Sequence, residues 1–233
     1  MDDKKILSFV NGEEEEKKSA ASAMDAFLSS NGKILLCVVV VAVVALVASI
    51  AGITISDNAK VKQLAAIDKI SYALTQKSSA LSDEELNARR DNALNQLASY
   101  ASKKNVIGVR ANMLIGDIQY QKKNFEEARS AYLLVASASP KAYTAPLAYY
   151  NAAECSENLG DNENAVAYYE KAESYSDFMM LTHTIFNIGR IKEVSNDIEG
   201  AKKSYSKLAE KYPEDSWTKI AKSRLLNFEI KGL

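Results

Sequence analysis

At 233 residues the chain has room for one domain of ordinary size plus accessory segments. Its 29 basic and 30 acidic side chains leave a formal net charge of -1, which excludes the basic footprint of a nucleic-acid binder. Two cysteines far apart, Cys37 and Cys155, exclude a disulfide-stapled fold, and nine glycines and three prolines leave little to interrupt long helices.

Residues 1–32 have the composition of a solvated, partly disordered tail, with the charge block Glu13 to Lys18 at its centre. Its four consecutive glutamates would point in different directions on a helix, so they do not converge on a metal ion. Residues Ala20 to Leu28 are expected to lead into the next helix as an amphipathic extension.

Residues 33–56 are expected to form a transmembrane helix. The 22 residues 34–55 carry no charge, and at 1.5 Å per residue such a run spans roughly 33 Å, enough for the hydrocarbon core. An isolated segment in lipid must satisfy its backbone internally, so its valine richness does not make it a strand. A cleaved signal peptide ending near Ser49-Ile50-Ala51 is the alternative, against which stands the long polar stretch before the apolar run. Lys4, Lys5, Lys17, Lys18 and Lys33 precede the run and Lys60, Lys62 and Lys69 follow it. That balance favours a cytoplasmic N-terminus with the large domain outside, the mirror arrangement staying open. Ala45 and Ser49, like Ala48 and Gly52, form a small-residue stripe through which two such helices could associate as a weak homodimer.

Residues 57–105 are expected to form a degenerate helical pair. Its first helix covers Ala59 to Gln76, apolar at Val61, Leu64, Ile67, Ile70 and Leu74. Its second opens at the cap Ser82-Asp83-Glu84-Glu85 and contains Ala93 and Leu97.

Residues 106–215 hold one pattern three times: a small residue, eleven residues, then Ala-xxx-Tyr. The copies are Gly116, Ala128 and Tyr132; Ala153, Ala165 and Tyr169; and Gly189, Ala201 and Tyr205, with alanine spacings of 37 and 36. Turn signals lie at Lys123-Asn124-Phe125, Gly160-Asp161-Asn162 and Ser195-Asn196-Asp197, and Pro140 and Pro213 close the first and third copies. The pattern implies helix, tight turn, helix. The small residue and the alanine are expected to meet where the two helices cross, and the tyrosine to pack against the next unit. Residues 216–233, with Trp217, Ile220, Leu225 and Phe228, are expected to cap the stack.

These copies resemble the tetratricopeptide repeat. Ile115-Gly116, Ala128, Tyr132 and Pro140 match it well, as do Ile188-Gly189, Ala201, Tyr205 and Pro213, while the middle copy has Asp177 where proline would stand. The units exceed the usual period by two or three residues, expected in the loops around Lys141 to Thr144. The resemblance implies an all-α solenoid whose first helices line a binding surface. By phase those positions are Arg110, Met113, Asp117, Tyr120 and Gln121; then Leu147, Tyr150, Glu154, Glu157 and Asn158; then His183, Phe186, Arg190 and Glu193. Such a mixture of aromatics and charges suits a peptide or helix of a partner protein. The carboxylate clamp of some members is not reproduced, since Met113, Asp117 and His183 stand at its basic and amide positions and only Asn151 agrees.

No phosphate loop, metal-ligand spacing or nucleophile elbow occurs, so no enzyme, cofactor or metal is expected. The lone histidine, His183, has the surroundings of a groove or packing residue, and Cys155 those of a small buried apolar one. The architecture is similar to that of bacterial inner-membrane tetratricopeptide proteins accompanying the secretory translocon and periplasmic chaperones. That implies a single-pass inner-membrane scaffold with its repeats in the periplasm. An accessory factor of outer-envelope assembly or division, suggested by the loop Tyr212 to Ser216, and a cytoplasm-facing adaptor are the alternatives.

Overall fold

The computed structural model describes residues 22–233 with their side chains; the charge block Glu13 to Lys18 lies outside them. Among the described residues the secondary structure is helical throughout, apart from turns. The helices are α1 (Asp3–Thr75), α2 (Asp83–Ala101), α3 (Val106–Gln121), α4 (Phe125–Ala138), α5 (Thr144–Asn158), α6 (Asn162–Glu173), α7 (Leu181–Val194), α8 (Ile198–Lys211) and α9 (Ser216–Lys231). A single 3-10 turn, Ser78–Ala80, links α1 to α2.

The chain divides into two units, residues 1–59 and 60–233. The first contains a helical stretch apolar enough to cross a membrane, with a mean hydropathy of 3.3 in its best window and none of that window buried. A signal sequence has the same properties. Within it the hydroxyls of Ser49 and Thr54 donate to the carbonyls of Ala45 and Ile50, so both polar side chains are satisfied inside the helix. The sequence places boundaries at residues 33 and 57, yet α1 crosses both without a break. No proline occurs before Pro140, and the small residues between Asn31 and Asn58 do not by themselves end a helix.

The second unit is a stack of antiparallel pairs, α3 with α4, α5 with α6 and α7 with α8, closed by α9, and the end of α1 meets α2 through side chains. The cap of α2 forms as its residues require: the Ser82 hydroxyl accepts from the Glu85 amide, and the Glu85 carboxylate accepts from the Ser82 amide. From α1, Ile67 and Ile70 enter the core with Ala93, Leu97, Ile107, Ala111 and Ile118. Val61 does not: it is 63% exposed, one turn beyond the end of that contact surface.

The turns inside the three later pairs are built alike. Lys123, Gly160 and Asn196 all adopt positive φ, at 62°, 76° and 62°. The next residue's amide donates to the carbonyl five residues back: Asn124 to Gln119, Asp161 to Ser156, Asp197 to Lys192. This is the left-handed helix stop that leaves the following residue free to cap the next helix. Asp161 and Asp197 accept from the amides of Asn164 and Gly200, whereas Asn124 makes no side-chain cap bond.

The small residue also meets the tyrosine, and in the middle copy Ala153 shares a core cluster with Ala165 and Tyr169. A Cβ at Gly116 would lie 2.5 Å from the Tyr132 ring, and one at Gly189 2.5 Å from the Tyr205 ring. The alanines Ala128, Ala165 and Ala201 are fully buried nearby in the clusters that hold these rings. Each tyrosine also reaches forward: Tyr132 clusters with Ala148 and Ala152, Tyr169 with Ile188 and Ile191, and Tyr205 with Ala221 and Phe228. One side chain therefore joins the two helices of a pair and the pair to its successor.

The loops accommodate the long period in two places. Residues 139–143 join α4 to α5 near the expected position, and the longer stretch 174–180 joins α6 to α7. In the latter, Phe178 is buried, next to the Asp177 that stands where the other copies have proline.

Candidate functional site

The first helices α3, α5 and α7 bring side chains from three successive pairs to a cleft of about 400 Å3, lined by Tyr120, Tyr150, Glu154, Glu157, Asn158, Tyr169, His183, Asn187 and Arg190. Repeat phase does this: residues four apart share a helix face, and equivalent faces of stacked units align. Tyr120 is held against Phe125, edge to face at 5.4 Å between ring centres, and its hydroxyl accepts from the Asn158 amide at 3.3 Å.

A continuous hydrogen-bond network forms the floor. The Glu157 carboxylate accepts from the Tyr169 hydroxyl at 2.7 Å and pairs with Arg190. Arg190 Nε donates at 3.3 Å to Asn187 Oδ1, whose amide nitrogen reaches the hydroxyls of Tyr150 and Tyr169 at 3.3 and 3.4 Å. The Tyr150 hydroxyl also bonds His183 Nδ1 at 2.9 Å, with the Glu154 carboxylate lining the same cleft.

Burial sets the charges here. It pushes the Glu154 carboxyl above the ordinary carboxylate range, partly offset by the Tyr150 hydroxyl, with Glu157 adding repulsion. It pushes His183 below the usual histidine value, and Arg190 acts in the same direction. Buried phenols at Tyr150 and Tyr169 are raised, chiefly by desolvation and then by the nearby glutamates, so they act as neutral donors.

Seven of the residues expected from phase therefore share one cleft: Tyr120, Tyr150, Glu154, Glu157, Asn158, His183 and Arg190. The others lie elsewhere. Arg110 pairs with Asp68 of α1, Gln121 accepts from Arg90 of α2, and Asp117 accepts from Tyr132. Glu193 accepts from Tyr205 and pairs with Arg224 of α9. Met113 and Leu147 pack against core clusters. Phe186 is buried, because Trp217 at the start of α9 covers it at 5.1 Å and stacks on His183 at 3.9 Å. The cap helix thus closes this face at α7.

Tyr169 and Asn187 were not among the expected residues. The first lies on a second helix and the second between phase positions, so only their partners reveal them. Among the described residues no group of acidic, histidine or cysteine side chains could hold a metal ion. No serine, threonine or cysteine nucleophile lines the cleft.

Family models for the tetratricopeptide repeat match residues 87–143, 147–177 and 184–215. The pairs α3–α4, α5–α6 and α7–α8 are tetratricopeptide repeats. The second and third matches fall on α5–α6 and α7–α8, while the first takes in α2 together with α3 and α4, the helix assigned to the degenerate pair included. The chain is also similar to a TPR repeat-containing protein of Treponema pallidum (strain Nichols), at 29% identity over 150 residues. That alignment covers 63% of this chain and 63% of the relative, so the chain spans less than two thirds of the relative's length. Tetratricopeptide repeats are protein-interaction scaffolds.

Proposed function

We propose that the chain is a membrane-anchored scaffold whose repeats hold a segment of a partner protein in the cleft between α3, α5 and α7. The observation that carries this reading is the convergence of side chains from three successive tetratricopeptide units on one cleft, wide open to solvent and held by its own hydrogen-bond network. A pre-ordered floor of this kind lowers the entropy lost on binding. The apolar run 34–55 supplies the anchor, and tethering would raise the effective concentration of the cleft near other membrane proteins. The lysine distribution favours a cytoplasmic N-terminus and repeats on the outer side of the inner membrane. There the scaffold would serve secretion or chaperoning of envelope proteins.

Two measurements test this. A photo-crosslinking residue at Asn158 in the full chain is expected to give a discrete adduct with a partner, and one at Glu127, which lines a separate cleft of α3 and α4, none. Equal labelling at both positions would sink the cleft as the binding site. A topology reporter fused after Leu233 is expected to read outside the cytoplasm; a cytoplasmic reading makes the protein an adaptor for a cytosolic complex instead.

A further inference from the structure

We infer that the cleft is built to receive a basic side chain, lysine or arginine, from the segment it binds, with Glu154 as the acceptor. This rests on the reading of the cleft as a partner site and goes beyond it by naming the chemistry the partner must bring.

The argument is a balance of charge and hydrogen bonds. Four ionisable groups of ordinary acid or base type line the cleft: Glu154, Glu157, His183 and Arg190. Arg190 is committed to Glu157, which Tyr169 also satisfies. His183, stacked on Trp217 and half-buried, is neutral near pH 7 and supplies no cation. That leaves Glu154 with, among the described residues, no cation within ion-pair distance. A half-buried carboxylate without a counter-charge loses part of its hydration, and a cation delivered by a ligand offsets that loss. The partly exposed ring of Tyr120 at the same cleft favours the same ligand, since lysine and arginine are attracted to aromatic rings as well as to carboxylates. An acidic segment would meet two carboxylates, and an apolar one would strand Glu154 and Asn158 without water.

A randomised peptide array probed with the detergent-solubilised full chain tests this. Peptides retained by the protein are expected to share lysine or arginine at one position, and acetylation of that lysine to weaken retention about tenfold. Glu154→Gln, nearly the same shape, is expected to lose the basic preference while keeping its melting temperature; Glu154→Asp is expected to retain part of it. Bound peptides with no basic preference, or a preference that survives Glu154→Gln, would overturn the assignment of Glu154 and leave the cleft as a partner site. Retention of no peptide at all would overturn the cleft reading together with the inference.

Discussion

In the α7–α8 pair the Tyr205 ring occupies the space that a side chain at Gly189 would need. In the α1–α2 pair Leu97 stands at the tyrosine position, and a cleft of about 300 Å3 remains between the helices, lined by Ile70, Leu74, Arg89 and Ala93 among others. There the join is polar as well as apolar: Arg89 donates from Nη1 to the carbonyls of Ala73 and Gln76 at 3.1 and 2.7 Å, at the open end of α1. The same topology is thus closed in one place by a ring over a glycine and in the other by a guanidinium over a helix end. The difference teaches that helix–turn–helix order alone does not fill the space between two helices. A ring over a small residue does so in the later pair, whereas a leucine at the same position leaves a cleft in the earlier one.

The comparison can be broken at its strongest point first. Tyr205→Ala removes a fully buried ring that also contacts Phe186 and Phe228, and is expected to destabilise the second unit by about 3–5 kcal/mol in denaturant titrations. A loss below about 1 kcal/mol would show that the ring does not close the pair. Gly189→Ala adds only a methyl group, yet the ring must move to admit it, so a loss of about 1–3 kcal/mol is expected. Alanine tolerated there without loss would instead show that the tyrosine shifts freely. Arg89→Ala is expected to cost about 1 kcal/mol, because the guanidinium is partly solvated, and to speed amide hydrogen exchange at the end of α1 while leaving α7 and α8 protected.

The smallest expected effect is on pH dependence. The folded protein depresses the pKa of His183, which faces Tyr150 and Trp217 with Arg190 and Glu157 nearby. The unfolded chain therefore binds that proton more readily. The contribution to stability is fully present above the ordinary histidine value and is lost as pH falls through the lower folded value. The melting temperature should drop between about pH 7.5 and pH 5.5, and His183→Gln should flatten that slope. Glu154 works in the opposite sense, its raised pKa favouring the folded state as pH falls, but in a lower pH window. An unchanged slope in His183→Gln would assign the acid sensitivity elsewhere.

Much of this architecture is legible in the sequence because the repeat enforces phase. Gly116, Ala128 and Tyr132 recur at constant spacing, and phase alone brings Tyr120, Glu154, Glu157 and Arg190 to one face. Phase states which way a backbone position faces, not what covers it. Phe186 has a groove position, but the Trp217 ring of the following helix lies over it, a contact no single repeat can encode. Val61 has the correct helical period and still faces water, since α1 has no neighbour at that level. Tyr169 was legible as a core residue, while its hydroxyl's reach to Glu157 depends on side-chain geometry that spacing does not specify.

Cys155 lies at 0% exposure among the same packed helices, and burial pushes its thiol up to about 12, with Glu154 pushing in the same direction. Nearly all of it is therefore protonated at neutral pH, and an alkylating reagent finds neither access nor thiolate. The residue is a chemical clock built into the middle repeat: its labelling rate would count the openings of α5 and α6 without any introduced probe.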